Sequence, residues 1–533
     1  MIRHTFIAYC CCIGIQFAAF AQDKATNKLP FDENAQKFAN TIQATDLEKH
    51  LTKLASSEFM GRGNGQAGQR IAEKYLVTQF EQLQLQPKGN SGTFSQTVPL
   101  VVAKGMTAQL KANGKNYTFL EDFYCFNRST AMVDAQVDKI VFAGYGIEEG
   151  SYNDYKGLDV KGKTVVILNG EPMLNGLCVL SKDGKTTAWS NDRRKKIEIA
   201  KSKGVKNLLV ITPDIAGKVK QYQNYIMGEN MMQLAADVYG TNPKEQITNT
   251  FFVSEAIGQQ LLGNRLAPLT DMANKGKIKR KKATINTNLS LQVTKKVEEV
   301  EVSNVLGFIG GTDKKDEVIV LTAHYDHLGE EHGEVYYGAD DDGSGTAALI
   351  ELAEAFAQAK AAGMAPSRSI LIMPVAGEEK GLLGSRYFTD VEPLVPLKDI
   401  VTDLNIDMIG RIDDQHKDGN YIYIIGDDKL SSELHNISEA ANNAYTKLEL
   451  DYRYNVENEP NQFYYRSDHY NFAKNGIPII FYFNGTHADY HKPTDTVEKI
   501  DFKAMESRTR LVFYTAWELA NRKSRIIVDS NKK

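Results

Sequence analysis

Four short apolar runs, Glu317 to Ala323, Ser369 to Val375, Ile400 to Ile406 and Ile477 to Phe483, alternate with segments of helical periodicity at Thr346 to Lys360, Ser432 to Tyr445 and Phe502 to Ala520. Runs of this length, rich in Ile, Val and Phe, read as strands buried on both faces. Strands alternating with helices call for a largely parallel sheet covered by helices. The expected fold class is therefore α/β, with a mixed, largely parallel sheet. Such sheets place their chemistry outside the carboxyl ends of the strands. Each run here ends at or shortly before a residue able to hold a metal: His324, the pair Glu378-Glu379, Asp407 and His491.

Imidazole and carboxylate suit zinc, and two cations held about 3.5–4 Å apart need a carboxylate that can bridge them. One imidazole and one terminal carboxylate per cation are supplied by His324 with Asp407 and by His491 with Glu379; Asp341, in the run Asp340-Asp341-Asp342, is the expected bridge. Glu378 is left over beside a ligand, the place of a general base that takes a proton from the attacking water. Asp326, two residues after His324, is expected to accept the second imidazole N–H and fix its tautomer. Taken alone, an Asp run followed by Gly343-Ser344-Gly345 reads as a solvated turn, and a Glu-Glu pair as exposed surface. Their recurrence after separate strands is what favours the two-metal hydrolase reading.

The segments TAHYDHLG, YYGADDDGSGTAALIELA, PVAGEEKGLLGS, NIDMIGR, RSDHYNF and YHKPTDT resemble, in order, the motifs of the M28 family of zinc peptidases, mostly aminopeptidases, over roughly residues 290 to 525. The resemblance implies a zinc-peptidase (phosphorylase/hydrolase-like) fold and two zinc ions per chain. His324 and Asp407 would hold one, Glu379 and His491 the other, with Asp341 bridging and Glu378 as base. It also implies that Tyr490 donates to the oxyanion, with Tyr464 as the alternative tyrosine. In this family the peptide bond after the bridging Asp is often cis.

Other templates fit poorly, since no HExxH, GxSxG or Walker-type loop is present. Ser467, Asp468 and His469 are adjacent in sequence, which is not how a spatial triad is built; Ser467 is expected to cap a helix below the site. Within the same fold, a carboxypeptidase or dipeptidase is the alternative function. A glutaminyl cyclase normally lacks the full two-metal set, and a noncatalytic binding protein would be expected to have lost ligands or the base. A carboxypeptidase needs cationic groups for a terminal carboxylate, for which Arg386, Arg411 and Arg466 are candidates. An aminopeptidase needs acidic groups for an ammonium, for which Asp340, Asp342, Glu378 and Asp489 lie close in sequence to ligands.

Met1 to Ala21, with Arg3 and His4 before an apolar stretch and a small-x-small ending, reads as a cleaved signal peptide, so the expected location is periplasmic or secreted. Three cysteines lie inside it, leaving Cys125 and Cys178, too few for a disulfide-dependent scaffold. A length of 533 residues is ample for two or three cores, and a net charge of -4 implies neither nucleic acid nor an acidic membrane as partner. The expected partners are peptide substrates. No later stretch reaches the ~18 apolar residues of a membrane span. The expected organisation is a signal peptide at 1–21, an amino-terminal part of the peptidase domain at 22–103, an insert at 104–287, the catalytic domain at 288–525 and a polar tail at 526–533. The run VFAGYGIEEGSYNDYKGLDVKGKTVVIL in the insert resembles a β-rich protease-associated (PA) domain, which would be noncatalytic and wall or cover the cleft.

Overall fold

The computed structural model of the chain describes residues 29–190, 192–228, 231–244, 247–278 and 280–529. The expected signal peptide lies outside them. All four apolar runs form strands, at Lys314–His324, Arg368–Val375, Ile400–Ile406 and Ile479–Phe483. They are the parallel centre of an eight-stranded sheet, in the spatial order Arg368–Val375, Lys314–His324, Ile400–Ile406, Ile479–Phe483. Antiparallel neighbours flank this centre, Gly307–Ile309 on one side and Tyr421–Ile425 on the other. The sheet is thus mixed and largely parallel. His324 pairs with Val375 and Ile406 with Tyr482, so these strands end almost level.

Helices cover both faces, as strands with no solvated side require. Gly345–Ala361, Phe502–Asn521 and Ala44–Leu54 bury Leu349, Leu352, Phe356, Phe513, Trp517 and Leu51 against one face. Phe388 and Phe472 pack against the other with Val320, Leu371 and Ile479. Asp501 caps the last long helix by accepting N–H bonds from Lys503 and Ala504.

The amino-terminal segment reaches the site through Arg62. This fully buried residue has positive φ (54°) and donates to the carbonyls of Leu54, Tyr325, Tyr337 and Gly338, each at 2.8 Å. It ties the end of the His324 strand to the loop before the three aspartates. Arg62→Met strands these carbonyls, and we expect it to destabilise the protein by about 3 kcal/mol or more, since a hydrogen bond to a charged group contributes roughly 1.5–3. Urea unfolding checks this; a loss under about 1 kcal/mol contradicts the clamp.

A second, nine-stranded sheet contains the insert. Its two long antiparallel strands, Ser95–Ala112 and Thr284–Val305, run from the peptidase part into the insert and back across the positions expected as boundaries. Val133–Phe142, Thr164–Leu168, Asn207–Ile211 and Asn249–Val253 continue it in parallel. Apolar clusters cover both of its faces, which include Phe142, Val166 and Phe251 on one side and Val165, Leu208 and Phe252 on the other. Cys125 and Cys178 are buried and unpaired. Among the described residues no helix is long and apolar enough to cross a membrane.

Candidate metal centre

The Asp340-Asp341-Asp342 run is not a solvated turn: all three side chains are buried. The outer two are turned away from the cleft and organise backbone. Asp342 accepts from the amides of His324, Gly345 and Met408, tying three segments together. Asp340 accepts from the Gly410 amide at 2.7 Å, from Ser344 Oγ and from Asn484 Nδ2. The amides of Asp340 and Asp341 are held by Asp495 Oδ2, and the Asp341-Asp342 peptide bond is cis. Asp341 alone faces the space between the imidazoles. Its Oδ1 lies 3.2 Å from His324 Nε2, and its Oδ2 lies 3.0 Å from His491 Nε2 and 3.8 Å from His327 Nδ1.

Two donor sets share this carboxylate. His324, Asp341 and Asp407 form one, with His324 Nε2 3.7 Å from Asp407 Oδ1. His327, Asp341 and Glu379 form the other, and His491 Nε2 lies 3.4 Å from Glu379 Oε2. Asp341 Oδ2, Glu379 Oε1 and both ring nitrogens of His327 are buried without a hydrogen-bond partner. Buried polar atoms left unpaired are costly, and several converging on one space fit divalent cations held by nitrogen and carboxylate oxygen.

The surrounding contacts orient these donors. Ser467 Oγ donates to Asp407 Oδ2 at 2.6 Å and accepts from Asn405 Nδ2. Ser467 is therefore not the expected cap; the short helix His469–Ala473 has no side-chain cap, because Ser467 is drawn to Asp407 instead. Asp326 also departs from expectation. His324 Nδ1 is paired with the Asp326 backbone carbonyl at 2.9 Å, while the carboxylate is 4.0 Å away. That carboxylate accepts from the amides of Glu378 and Glu379 and from Asn64 Nδ2, because the turn after the strand aims it at the Glu378-Glu379 backbone. Asp326 thus positions the Glu378-Glu379 loop.

Neighbouring carboxylates are pushed apart in acidity. Burial raises Glu378 well above the usual range, opposed by His324 and reinforced by Glu379 and Asp407. Glu379 goes down to about 2: burial and Asp341 would raise it, but the imidazoles of His327 and His491 prevail. The two neighbours are thus held on opposite sides of the ordinary carboxylate range. Burial works against charge on His324, yet Glu378 and Asp407 raise its pKa well above the ordinary value. His491 rises to about 10, against burial, through Asp341 and Glu379. The cleft demands positive charge, and a bound cation would displace these protons.

The cleft opens into a small pocket walled by Met408, Phe463, Phe481 and Phe483, with His324, Asp341, Glu378, Asp407 and His491 on its polar side. Tyr490 lines it, stacked on His491 with ring centroids 3.9 Å apart, and burial raises its phenol so that it remains a donor. Tyr464 does not line this pocket; it packs against Tyr465, His469 and Tyr470. Of the three arginines considered, Arg386 pairs with Asp237 and Arg411 with Asp489. Arg466 lines the pocket and donates to Tyr490 Oη at 3.3 Å. Of the four acidic candidates for an ammonium, Asp340 and Asp342 are used by backbone and Asp489 by Arg411, Thr494 and Lys499. Glu378 alone faces the pocket.

Residues 304–516 match the model of peptidase family M28. This segment is an M28 peptidase domain. A probable leucine aminopeptidase of Arthroderma otae is 31% identical over 214 residues, 39% of this chain and 55% of that protein. A probable zinc metalloprotease of Leptosphaeria maculans is 28% identical over 263 residues, 42% and 58% of the two chains. The chain thus spans a little over half the length of these curated relatives. A zinc aminopeptidase from Bacillus subtilis aligns over 91% of this chain and 98% of its own, with a TM-score of 0.45 and 17% identity. Within the M28 domain the structure brings together His324, Asp341, Glu378, Glu379, Asp407, Tyr490 and His491. Sequence reasoning passed over His327, Arg62, Asn64 and the role of Ser467. Only His327 carried a signal, as the second imidazole of TAHYDHLG.

Proposed function

We propose that the chain is a two-zinc exopeptidase that removes amino-terminal residues from peptides. The observation that carries this is the pair of donor sets sharing Asp341, with Glu378 beside them and outside both sets, 3.9 Å from His324 Nε2. His324 and Asp407 would hold one ion, Glu379 and His491 the other, and Asp341 both. Zinc, when bound, polarises the scissile carbonyl and makes water acidic enough to attack near neutral pH. Glu378 takes the water proton and delivers it to the leaving amine. The Tyr490 hydroxyl, its oxygen already engaged by Arg466, is free to donate to the developing oxyanion. Asp326 and Ser467 hold Glu378, Glu379 and Asp407 in place, limiting rearrangement during the reaction. The aromatic wall suits one apolar side chain, in keeping with the name of the Arthroderma otae relative.

Arg466 favours a second reading, in which it clamps the terminal carboxylate of a substrate and the enzyme is a carboxypeptidase or dipeptidase. Matched peptides with free and acetylated amino termini separate the two. We expect acetylation to reduce cleavage to background, because the carboxylates Asp341 and Asp407 on the pocket's polar side favour an ammonium. Efficient release of carboxy-terminal residues from the acetylated peptide sinks the aminopeptidase assignment and leaves the two-zinc hydrolase standing.

The insert is proposed to be a PA-like wall of the cleft. It abuts the segment after the base: Lys244 Nζ donates to the Thr389 carbonyl at 2.7 Å, and Arg386 pairs with Asp237. The signal-peptide pattern supports a periplasmic or secreted location.

A further inference from the structure

We infer that His327 is a third imidazole of the centre, binding the second zinc through Nδ1 together with Asp341, Glu379 and His491. The inference rests on the two-zinc reading and extends its ligand set. His327 is completely buried, and its Nδ1 lies 2.9 Å from Glu379 Oε1 and 3.8 Å from Asp341 Oδ2. At 2.9 Å a hydrogen bond would be expected, yet the alignment does not make one, and Nδ1, Glu379 Oε1 and Asp341 Oδ2 are all left unpaired. Three unpaired donor atoms facing one another around a small space are the signature of shared coordination, which satisfies all of them at once. The ring is held there. The His327 amide donates to the Arg62 carbonyl, and the ring lies over Gly338, where a Cβ would come within 2.5 Å of His327 Cγ and Cδ2 and closer still to the Asp341 carbonyl. Glycine with φ 55° at this position leaves the space the imidazole occupies. The two ions are then unequal, one with a single imidazole and the other with two.

The test compares the parent with His327→Gln by zinc titration of the metal-free protein and by X-ray absorption at the zinc edge of the loaded protein. We expect the variant to keep the unfolding midpoint of the metal-free parent. Its second zinc should bind at least about 100-fold more weakly, beyond or at the top of the 10–100-fold range typical of a residue that only orients a ligand. Imidazole scattering per zinc should fall when both proteins are saturated. Unchanged imidazole scattering in saturated His327→Gln overturns the inference even if affinity drops, and leaves the two-zinc reading intact. A parent that binds no zinc overturns both.

Discussion

Glu378→Gln is expected to lower kcat by about 10²–10⁴-fold, the usual contribution of a general base, while zinc content stays at the parent value. The expectation follows from position: Glu378 lies beside both donor sets and belongs to neither. Gln keeps the shape and the backbone bond to Asp326 but cannot accept a proton. Glu379→Gln should behave differently, because that carboxylate faces His327 and His491. It should lose affinity for one ion first, and activity as a consequence. Metal analysis alongside steady-state kinetics distinguishes the two. A Glu378→Gln enzyme within about tenfold of the parent kcat, or one that loses metal as readily as Glu379→Gln, contradicts the assignment.

Asp341→Ala should empty both positions. Its two carboxylate oxygens face different imidazoles, His324 through Oδ1 and His491 through Oδ2, so removal strips a donor from each set. The flanking aspartates cannot replace it. Asp340 is committed to Gly410, Ser344 and Asn484, and Asp342 to the amides of His324, Gly345 and Met408. Asp407→Asn, by contrast, should weaken one ion only. Dialysed Asp341→Ala protein should be nearly metal-free and inactive. One tightly held zinc per chain in this variant would show that the carboxylate is not shared.

The central sheet and most of the site were legible because their signals are local. Ile400 to Ile406 is a strand at the expected residues, and Lys314–His324 brings His324 to the carboxyl edge as the apolar run implies. The candidate ligands were legible from the strand ends together with the ordered motifs from TAHYDHLG to YHKPTDT. What was not legible depends on partners distant in sequence. Arg62 acts on carbonyls at 325, 337 and 338, and its surroundings, a glycine-broken helical pattern, say nothing of that. Asp326 lies two residues from His324, where a carboxylate commonly orients an imidazole; which of its atoms does so is decided by the turn, and the backbone carbonyl is the one in reach. Ser467 has the residue type and place of a helix cap, but the Asp407 carboxylate competes for its hydroxyl and prevails. His327 was passed over because only the folded chain sets it against Glu379.

Zinc titration of the metal-free protein, with hydrolysis of an unblocked aminoacyl amide followed at each addition, tests the two-zinc centre most directly. We expect no activity without metal, two equivalents bound per chain, and full activity only when both donor sets around Asp341 are filled. Full activity in the metal-free protein, or saturation of binding at one equivalent, would contradict it.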